Sequence, residues 1–332
     1  GVMYAGILHA FKKSEILKLC LYLVYPIFLG GIYKLYVFLG FIKPTEHIYM
    51  FGGGGIDCQR HKKVFLEQII VSYETQWLNI KQHRFREPAS RLSLKFRTLQ
   101  LLYAAHCQRE QKDWRNSSVI ICPSIVVGED LKNRGVPDSK IRIIPYGVDL
   151  ERFCFVRRNY SVPRLRVLFP GDVCERKGTK ALFEIAANLE SEPVIISIAG
   201  NINLSDYKQN HTKNVNLLGR LGQDELIKAY QSHHLVIMPS IAEGSPLALI
   251  ESQATGLPVI CSDKCGSRVE DGVDGFIVNG VCVYGFVTKV RLYTRNRTLL
   301  DRHSQNAIQK RIILSDQNYK KNLISVLADV ID

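Results

Sequence analysis

Two glutamates eight positions apart, Glu243 and Glu251, are the residues of this sequence best placed to bind a hydroxyl-rich ligand. Carboxylate oxygens accept hydrogen bonds from hydroxyl groups, and both glutamates lie in the short segment Pro239–Glu251. The apolar run Leu235–Met238 before this segment predicts a buried parallel strand that ends at Pro239. The sequence therefore predicts a strand, a loop that carries Glu243, and a helix that carries Glu251.

The start of this helix is predicted by the residues between the two glutamates. Ser245 suits the N-cap, and Pro246 suits the first helical position, where its missing N–H costs nothing. Apolar positions from Leu247 onward continue the helix until the segment Gly256–Pro258 ends it. The free N–H groups of the first turn and the positive end of the helix dipole form a site for an anion. Glu251 would lie about 7–8 Å further along the axis.

A helix start between two carboxylates suits a ligand with a diphosphate at its centre and hydroxyl groups at both ends. A nucleotide sugar is such a molecule. Its phosphates would lie at the helix start, one carboxylate would bind hexose hydroxyls, and the other would bind ribose hydroxyls. The same spacing also fits an ordinary strand–loop–helix unit with two surface glutamates. The neighbouring segments must distinguish this interpretation from a nucleotide-sugar site.

Short apolar strands alternate with amphipathic helices from about residue 164 to residue 278. This alternation predicts a doubly wound parallel sheet. In such sheets ligands bind beyond the carboxyl ends of the strands, where the loops 171–178 and 243–251 both fall. The predicted strands are Leu165–Phe169, Val194–Ala199, Val215–Leu218, Leu235–Met238, Pro258–Cys261 and Gly275–Val278, and the predicted helices include Thr179–Leu189 and Asp224–Tyr230.

The first half of the chain predicts a second α/β domain. The polar stretch Arg157–Ser161 has the composition of an interdomain linker. We therefore predict an α/β protein of two Rossmann-like, doubly wound domains, residues 1–155 and 164–332, which face each other across a cleft. The elements predicted in the first domain are the strands Val119–Ser124 and Ile141–Ile144 and, between them, a helix that closes at Gly135.

Residues before this region are less regular. The apolar runs Leu19–Tyr33 and Leu35–Ile42 predict either a membrane-inserted segment or buried elements of an α/β domain. Lys34 and the proline and glycine breaks favour buried elements. The segment His47–Gly55 predicts a strand and a glycine loop, followed by a helix from Ile56 to Ile70, although a surface turn explains the glycines equally well.

The composition describes a globular protein with an acidic partner. Hydrophobic residues make up 46% and charged residues 23%, which excludes a disordered chain. The net charge of +13 favours phosphate-bearing substrates or anionic lipid, and the scattered basic residues argue against nucleic acid. The nine cysteines form no C-x-x-C pair, so we expect reduced thiols, no metal site and a cytoplasmic location, with peripheral contact at the inner face of a membrane as an option.

Several segments match a known family in order and spacing. They are Ile121–Ser124, Gly135–Ile141, Ile144–Phe153, Gly171–Gly178, Leu218–Arg220 and Met238–Asp263. On these segments the chain resembles the retaining glycosyltransferases of the GT-B fold, family 4 (glycosyl transferases group 1). The resemblance implies the GT-B architecture and the transfer of a hexose from a nucleoside diphosphate sugar to an acceptor hydroxyl, with retention of configuration.

The resemblance also assigns roles to residues of the loop and helix described above. The family's carboxylate pair falls on Glu243, which would contact the donor sugar, and on Glu251, which would contact the ribose. The backbone that follows Glu243 would hold the distal phosphate. The residues expected to bind the donor are Glu251, Gly244, Ser245, Pro246, Leu247, Gly171 and Arg220.

The family's basic pair lies on the loop after the first strand of the second domain. Lys177 matches the lysine of this pair, whereas Asp172 stands where the family has arginine. We expect Arg176, next to Lys177, to supply the missing charge, because the leaving diphosphate needs cationic stabilisation as the glycosidic bond breaks. The expected catalytic residues are therefore Glu243, Lys177 and Arg176.

The expected partners follow from the same resemblance. The co-substrate is a UDP- or GDP-linked sugar, the acceptor is a glycan or a lipid-linked molecule, and neither a cofactor nor a metal is expected. Asp172 and the weaker match of the first half favour an alternative, a non-catalytic or decayed nucleotide-binding subunit associated with a membrane. The family's histidine near the sugar could be His9, His61 or His106, which the sequence does not distinguish.

Overall fold

The computed structural model of the protein describes residues 47–51, 63–69, 72, 107–201 and 212–331. The chain divides into two compact units. The first holds the described residues up to 122 together with 127–143 and 327–331, and the second holds 123–126 and the described residues of 144–326. The domain limits 1–155 and 164–332 stay predictions, and residues 144–163 belong to the second unit.

The first unit contains a four-stranded parallel sheet in the order β1-β2-β3-β4. A helix follows β3, as predicted, and ends before Gly135, whose φ of 84° terminates it. Residues 107–116 are also helical. The elements are β1 (His47–Phe51), β2 (Lys63–Glu67), β3 (Val119–Cys122), α1 (Ile125–Asn133) and β4 (Ile141–Ile143).

The predicted helix over 56–70 is wrong in the part that the structure describes. Residues Lys63–Glu67 form β2, between the parallel neighbours β1 and β3, and Val64–Glu67 are all buried. A strand covered on both faces carries a continuous apolar run, whereas an amphipathic helix leaves one side polar. The strand predicted over 47–51 is confirmed. The glycine loop 52–55, the apolar runs before residue 43, and His9, His61 and His106 lie outside the described residues.

The second unit contains a six-stranded parallel sheet in the order β10-β9-β8-β5-β6-β7. The six strands predicted here are confirmed to within one residue at each end. The strands are β5 (Leu165–Pro170), β6 (Val194–Ala199), β7 (Val215–Gly219), β8 (Leu235–Met238), β9 (Val259–Ser262) and β10 (Gly275–Val278). The helices are α2 (Thr179–Asn188), α3 (Gln223–Ser232), α4 (Leu247–Ala254), α5 (Val283–Arg295), α6 (Arg297–Gln309) and α7 (Asp316–Ile331).

Both faces of this sheet are covered, which explains why its strands are apolar throughout. Along β5, Val167 and Phe169 point into a core that includes Leu182 of α2, whereas Leu168 points into a core that includes Leu249 of α4. The strand order reverses between β5 and β8, because β6 and β7 extend the sheet on one side and β9 and β10 on the other. This is the topological switch point at which open α/β sheets bind ligands.

The segment predicted to be a linker, Arg157–Ser161, packs on the second unit. Arg158 donates hydrogen bonds to the carbonyl oxygens of Tyr230 (2.9 Å) and Thr255 (2.8 Å), and Tyr160 is 6% exposed. The segment is thus fixed to the ends of α3 and α4 and is not a solvated connection.

In the described ranges, none of the helices combines the length and apolar character that a bilayer crossing requires.

Candidate functional site

Two loops meet at the switch point, one after β5 and one after β8. The backbone N–H of Ile241 donates to the carbonyl oxygen of Arg176 (2.8 Å), which joins the loops directly. Gly178, with a φ of 76°, approaches so closely that a Cβ there would overlap the carbonyl oxygen of Pro239. The two loops therefore form one surface, and glycine is required where they touch.

This surface carries a cluster of one carboxylate and two cations. Glu243 is only 6% exposed, and its Oε1 lies 2.7 Å from the Nζ of Lys177. The Nη1 of Arg176 contacts the same oxygen and donates to the carbonyl oxygen of Ala242 (3.1 Å). A buried carboxylate needs such compensation. The cluster keeps one positive charge in excess, which suits an anionic ligand.

Glu243 is fixed through its backbone and Lys177 through the surroundings of its side chain. The N–H of Glu243 donates to the carbonyl oxygen of Lys264 (3.0 Å), so the loop is held by the connection after β9. The Lys177 side chain extends over Gly171, since a Cβ added to Gly171 would lie 3.7 Å from its Cε. Its Nζ also lies 4.0 Å from the sulfur of Met238, the last residue of β8. Lys177 therefore occupies the switch point itself.

The helix that follows begins one residue later than predicted. Pro246 is the N-cap, with a ψ of 118°, and Leu247 is the first helical residue, so the placement of Ser245 at the N-cap is wrong. Proline has no side chain that can cap, and no side-chain hydrogen bond closes this helix start. Within the described residues, the buried hydroxyl of Ser245 also makes no hydrogen bond. The loop thus presents uncapped polar groups next to Glu243.

Glu251 lies on α4, as predicted, and it is partly buried; its hydrogen-bond partner was not predicted. The hydroxyl of Tyr230, from the neighbouring helix α3, donates to its Oε2 (2.8 Å). Burial raises the pKa of Glu251, and the Tyr230 hydroxyl opposes this rise. Burial also raises the pKa of Tyr230 well above its ordinary value. Tyr230 therefore holds the carboxylate in one orientation and stays protonated.

Replacing Tyr230 with phenylalanine should destabilise the protein more at neutral than at acidic pH. The pKa of Glu251 is higher in the folded state than in the unfolded state. Ionisation of Glu251 therefore lowers the free energy of unfolding as the pH rises from the unfolded-state pKa to the folded-state pKa. Loss of the hydroxyl raises the folded pKa further, so this cost grows. We expect Tyr230→Phe to lower the free energy of unfolding by about 1–2 kcal/mol at pH 7.5 and by less at pH 4.

Urea unfolding at both pH values measures this difference. The control is the same substitution in a Glu251→Gln background, where we expect the pH dependence to disappear. An equal loss at both pH values in the otherwise unchanged protein would show that the hydroxyl does not act through Glu251.

Asp172, which replaces the family's arginine, does not face the cluster. Its Oδ1 accepts hydrogen bonds from the backbone N–H (2.7 Å) and the Nδ2 (3.0 Å) of Asn201, in the loop after β6. Gly200 lies so close that a Cβ there would overlap the carbonyl oxygen of Gly171. Asp172 therefore connects the loop after β5 to the loop after β6. The second cation beside Glu243 is Arg176.

Arg220 is the predicted donor-binding residue that the structure does not bring to this cluster. It is exposed and follows β7, which is separated from β8 by β5 and β6. At about 4.8 Å between neighbouring strands, its backbone lies roughly 14 Å from the Glu243 loop.

Within the described residues, no group of three His, Cys, Asp or Glu side chains could hold a metal ion.

Two family models match the chain in succession. One, described as Glycosyltransferase Family 4, matches residues 69–152, and the other, described as Glycosyl transferases group 1, matches residues 164–295. The chain belongs to the GT-B glycosyltransferases of family 4. The second match contains every candidate site residue described above.

Individual relatives agree with this family. An Escherichia coli protein named UDP-Gal:alpha-D-GlcNAc-diphosphoundecaprenol alpha-1,3-galactosyltransferase is 26% identical over 218 residues, which cover 60% of this chain and 54% of that protein. The chain spans about half or less of the length of the curated relatives it matches.

Solved structures share the fold at low sequence identity. Sucrose-phosphate synthase from Thermosynechococcus elongatus has a TM-score of 0.71 at 16% identity, and the match covers 94% of this chain and 79% of that one. Anabaena HepE in complex with UDP-glucose has a TM-score of 0.60 at 14% identity, over 80% of this chain and 72% of that one. These neighbours support a GT-B fold of two Rossmann-like domains.

Proposed function

We propose that this protein transfers a hexose from a UDP- or GDP-linked sugar to an acceptor hydroxyl with retention of configuration. The observation that carries the proposal is the buried Glu243 held between Lys177 and Arg176 at the switch point of the second unit. An uncapped helix start lies directly beside it. Membership of family 4 supports a glycosyl transfer, and the geometry of the cluster supports the assignment of Glu243, Lys177 and Arg176 as the catalytic residues.

The donor diphosphate would bind at the start of α4. The backbone N–H groups of Gly244, Ser245 and Leu247 would donate hydrogen bonds to the diphosphate, and the positive end of the helix dipole adds to this attraction. Lys177 and Arg176 supply the cationic side chains, and Gly171 leaves room beside them. Glu243 would accept hydrogen bonds from the sugar hydroxyls, and Glu251, oriented by Tyr230, from the ribose. We keep Arg220 as a more distant contact to the donor.

Transfer would proceed within this arrangement. The bond between the anomeric carbon and the diphosphate oxygen breaks, and the acceptor oxygen bonds to the same carbon on the same face. The acceptor's proton passes to the departing phosphate, so no separate side-chain base is required. Lys177 and Arg176 stabilise the negative charge that develops on the diphosphate. In this proposal the nucleotide sugar is a co-substrate, and catalysis is assigned to side chains and backbone.

A lipid-linked or glycan acceptor is the second part of the proposal. The name of the Escherichia coli relative gives UDP-Gal as its donor and a diphosphoundecaprenol-linked sugar as its acceptor. The net charge of +13 suits peripheral contact with an anionic membrane surface that carries such an acceptor. The non-catalytic alternative rested on Asp172 and on the weaker match of the first half. The first argument weakens because Arg176 lies beside Glu243 as the second cation, and the second weakens because a Family 4 model matches residues 69–152.

Binding of the donor should raise thermal stability. A ligand at 100 times its dissociation constant stabilises the folded state by about 2.7 kcal/mol. We expect one nucleotide sugar of a UDP- and GDP-linked panel to raise the Tm by several degrees, and its nucleoside diphosphate to raise it by less. The same donor should then release nucleoside diphosphate when an acceptor is added. Stabilisation by the donor without any release, across lipid-linked and glycan acceptors, would contradict the proposal.

A further inference from the structure

A second charged pocket lies at the opposite edge of the same sheet, where the strands begin. Its volume is about 610 Å³, and it is formed by the segment before β5 and the first turns of α6. This edge is fixed by Arg158, which binds the carbonyl oxygens at the ends of α3 and α4. The lining residues are Arg157, Arg158, Asn159, Tyr160, Ser161, Arg297, Thr298 and Asp301.

The lining carries three guanidinium groups against one carboxylate. Within the described part of the chain, Arg157, Arg158 and Arg297 have no carboxylate oxygen within 4 Å, although four other arginines of that part do form ion pairs. Arg297 is also the first residue of α6, a helix of 13 residues, whose dipole adds positive potential. This arrangement favours an anion.

Two buried donors of the pocket lack a protein partner. The Nε of Arg158 and the Nη1 of Arg297 are buried and have no hydrogen-bond acceptor among the described residues. The hydroxyl of Tyr160, on a side chain only 6% exposed, lies beside Arg158 and Ser304. Buried donors are almost always satisfied in folded proteins, so two unpartnered guanidinium N–H groups in one pocket indicate a ligand that accepts hydrogen bonds.

The electrostatics of the neighbouring groups agree with this. His234 precedes β8, and its ring lies 5.9 Å from that of Tyr160. Burial first, and then the positive charges of Arg166, Arg297 and Arg158, lower the pKa of His234 to about 3. Burial also lowers the pKa of Arg158 and of Arg297. Arg297 and Arg158 thus add positive potential at His234, and a bound anion would offset it.

We propose that this pocket binds a phosphate group, carried by a small soluble molecule or by a lipid headgroup. Guanidinium groups bind phosphate through paired, charge-assisted hydrogen bonds. Tyr160 and Thr298 supply hydroxyl groups beside them. Because the pocket lies at the opposite edge of the sheet from Glu243, it would be occupied independently of the donor.

The test is calorimetric titration with inorganic phosphate. We expect the double variant Arg157→Gln/Arg297→Gln to bind phosphate at least tenfold more weakly than the unchanged protein, because two charge-assisted contacts are lost. The control is Lys228→Gln/Arg302→Gln, which removes two exposed charges outside the pocket and should bind as the unchanged protein does. Arg158 is left intact because it holds α3 and α4 together.

A second arm distinguishes the two sources of phosphate. Co-sedimentation with phosphatidylglycerol vesicles, compared with titration of glycerol phosphate, shows whether the group is presented on a membrane or in solution. Binding to the vesicles or binding to glycerol phosphate supports the proposal if the Arg157→Gln/Arg297→Gln variant loses this binding and the control variant retains it. Equal binding by both double variants, or binding of none of the three probes by the unchanged protein, would overturn it.

Discussion

Lys177→Ala should lower kcat for sugar transfer by about 10²–10³, because the leaving diphosphate then loses a cation at the point where its charge develops. Lys177 Nζ lies 2.7 Å from Glu243 at the switch point, and its side chain is largely buried there. Surrounding water therefore cannot replace the lost charge effectively. Part of the effect will fall on KM, since the diphosphate is anionic before the reaction as well.

The matched control for Lys177→Ala is Lys180→Ala. Lys180 lies on α2 and has the same charge, but its side chain is 87% exposed and its weak contact is with Glu184. We expect its kcat and KM to match those of the unchanged protein. Initial rates of nucleoside diphosphate release, at donor concentrations above and below KM, measure both parameters. A kcat for Lys177→Ala within about threefold of the unchanged protein would exclude Lys177 from leaving-group stabilisation.

The second unit could be predicted well from the sequence because its strands are buried on both faces. β8 and β9 have every residue buried, so each is a continuous apolar run bounded by loop residues. The same principle explains the failure at β2, where Val64–Leu66 is too short for periodicity to distinguish a strand from a helix. Only pairing with β1 and β3 makes it a strand, and pairing is not visible in local sequence.

The candidate site could be predicted in its residues but not in its contacts. The sequence indicates Lys177 and Glu243 separately, whereas their ion pair depends on β5 and β8 being neighbours in the sheet. The sequence indicates Tyr230 only as the last residue of the predicted helix Asp224–Tyr230, and an aromatic residue in such a helix usually packs in the core. Its hydroxyl reaches Glu251 only because α3 and α4 lie side by side. The shift of the helix start to Leu247 likewise depends on the ψ of Pro246.

Glu243→Gln should separate nucleotide binding from sugar transfer. The substitution keeps the size of the side chain but removes the negative charge that Lys177 and Arg176 share. The net charge of the cluster rises from one to two positive charges, so UDP or GDP alone should bind as tightly as before or more tightly. Transfer should fall by about 10² or more, because an amide is a weaker acceptor than a carboxylate for the sugar hydroxyls.

The same variant should also lose stability. Leaving Lys177 and Arg176 without their carboxylate should lower the free energy of unfolding by about 1–3 kcal/mol, the lower figures reflecting the partial exposure of Arg176. Glu184→Gln, on the exposed surface of α2, provides the control for a simple change of charge. Calorimetry with the nucleoside diphosphate and initial rates, both measured below the Tm of the variant, decide the outcome. Weaker nucleotide binding together with normal transfer would mean that Glu243 contacts the ribose and not the sugar, which reverses the roles assigned to the two glutamates.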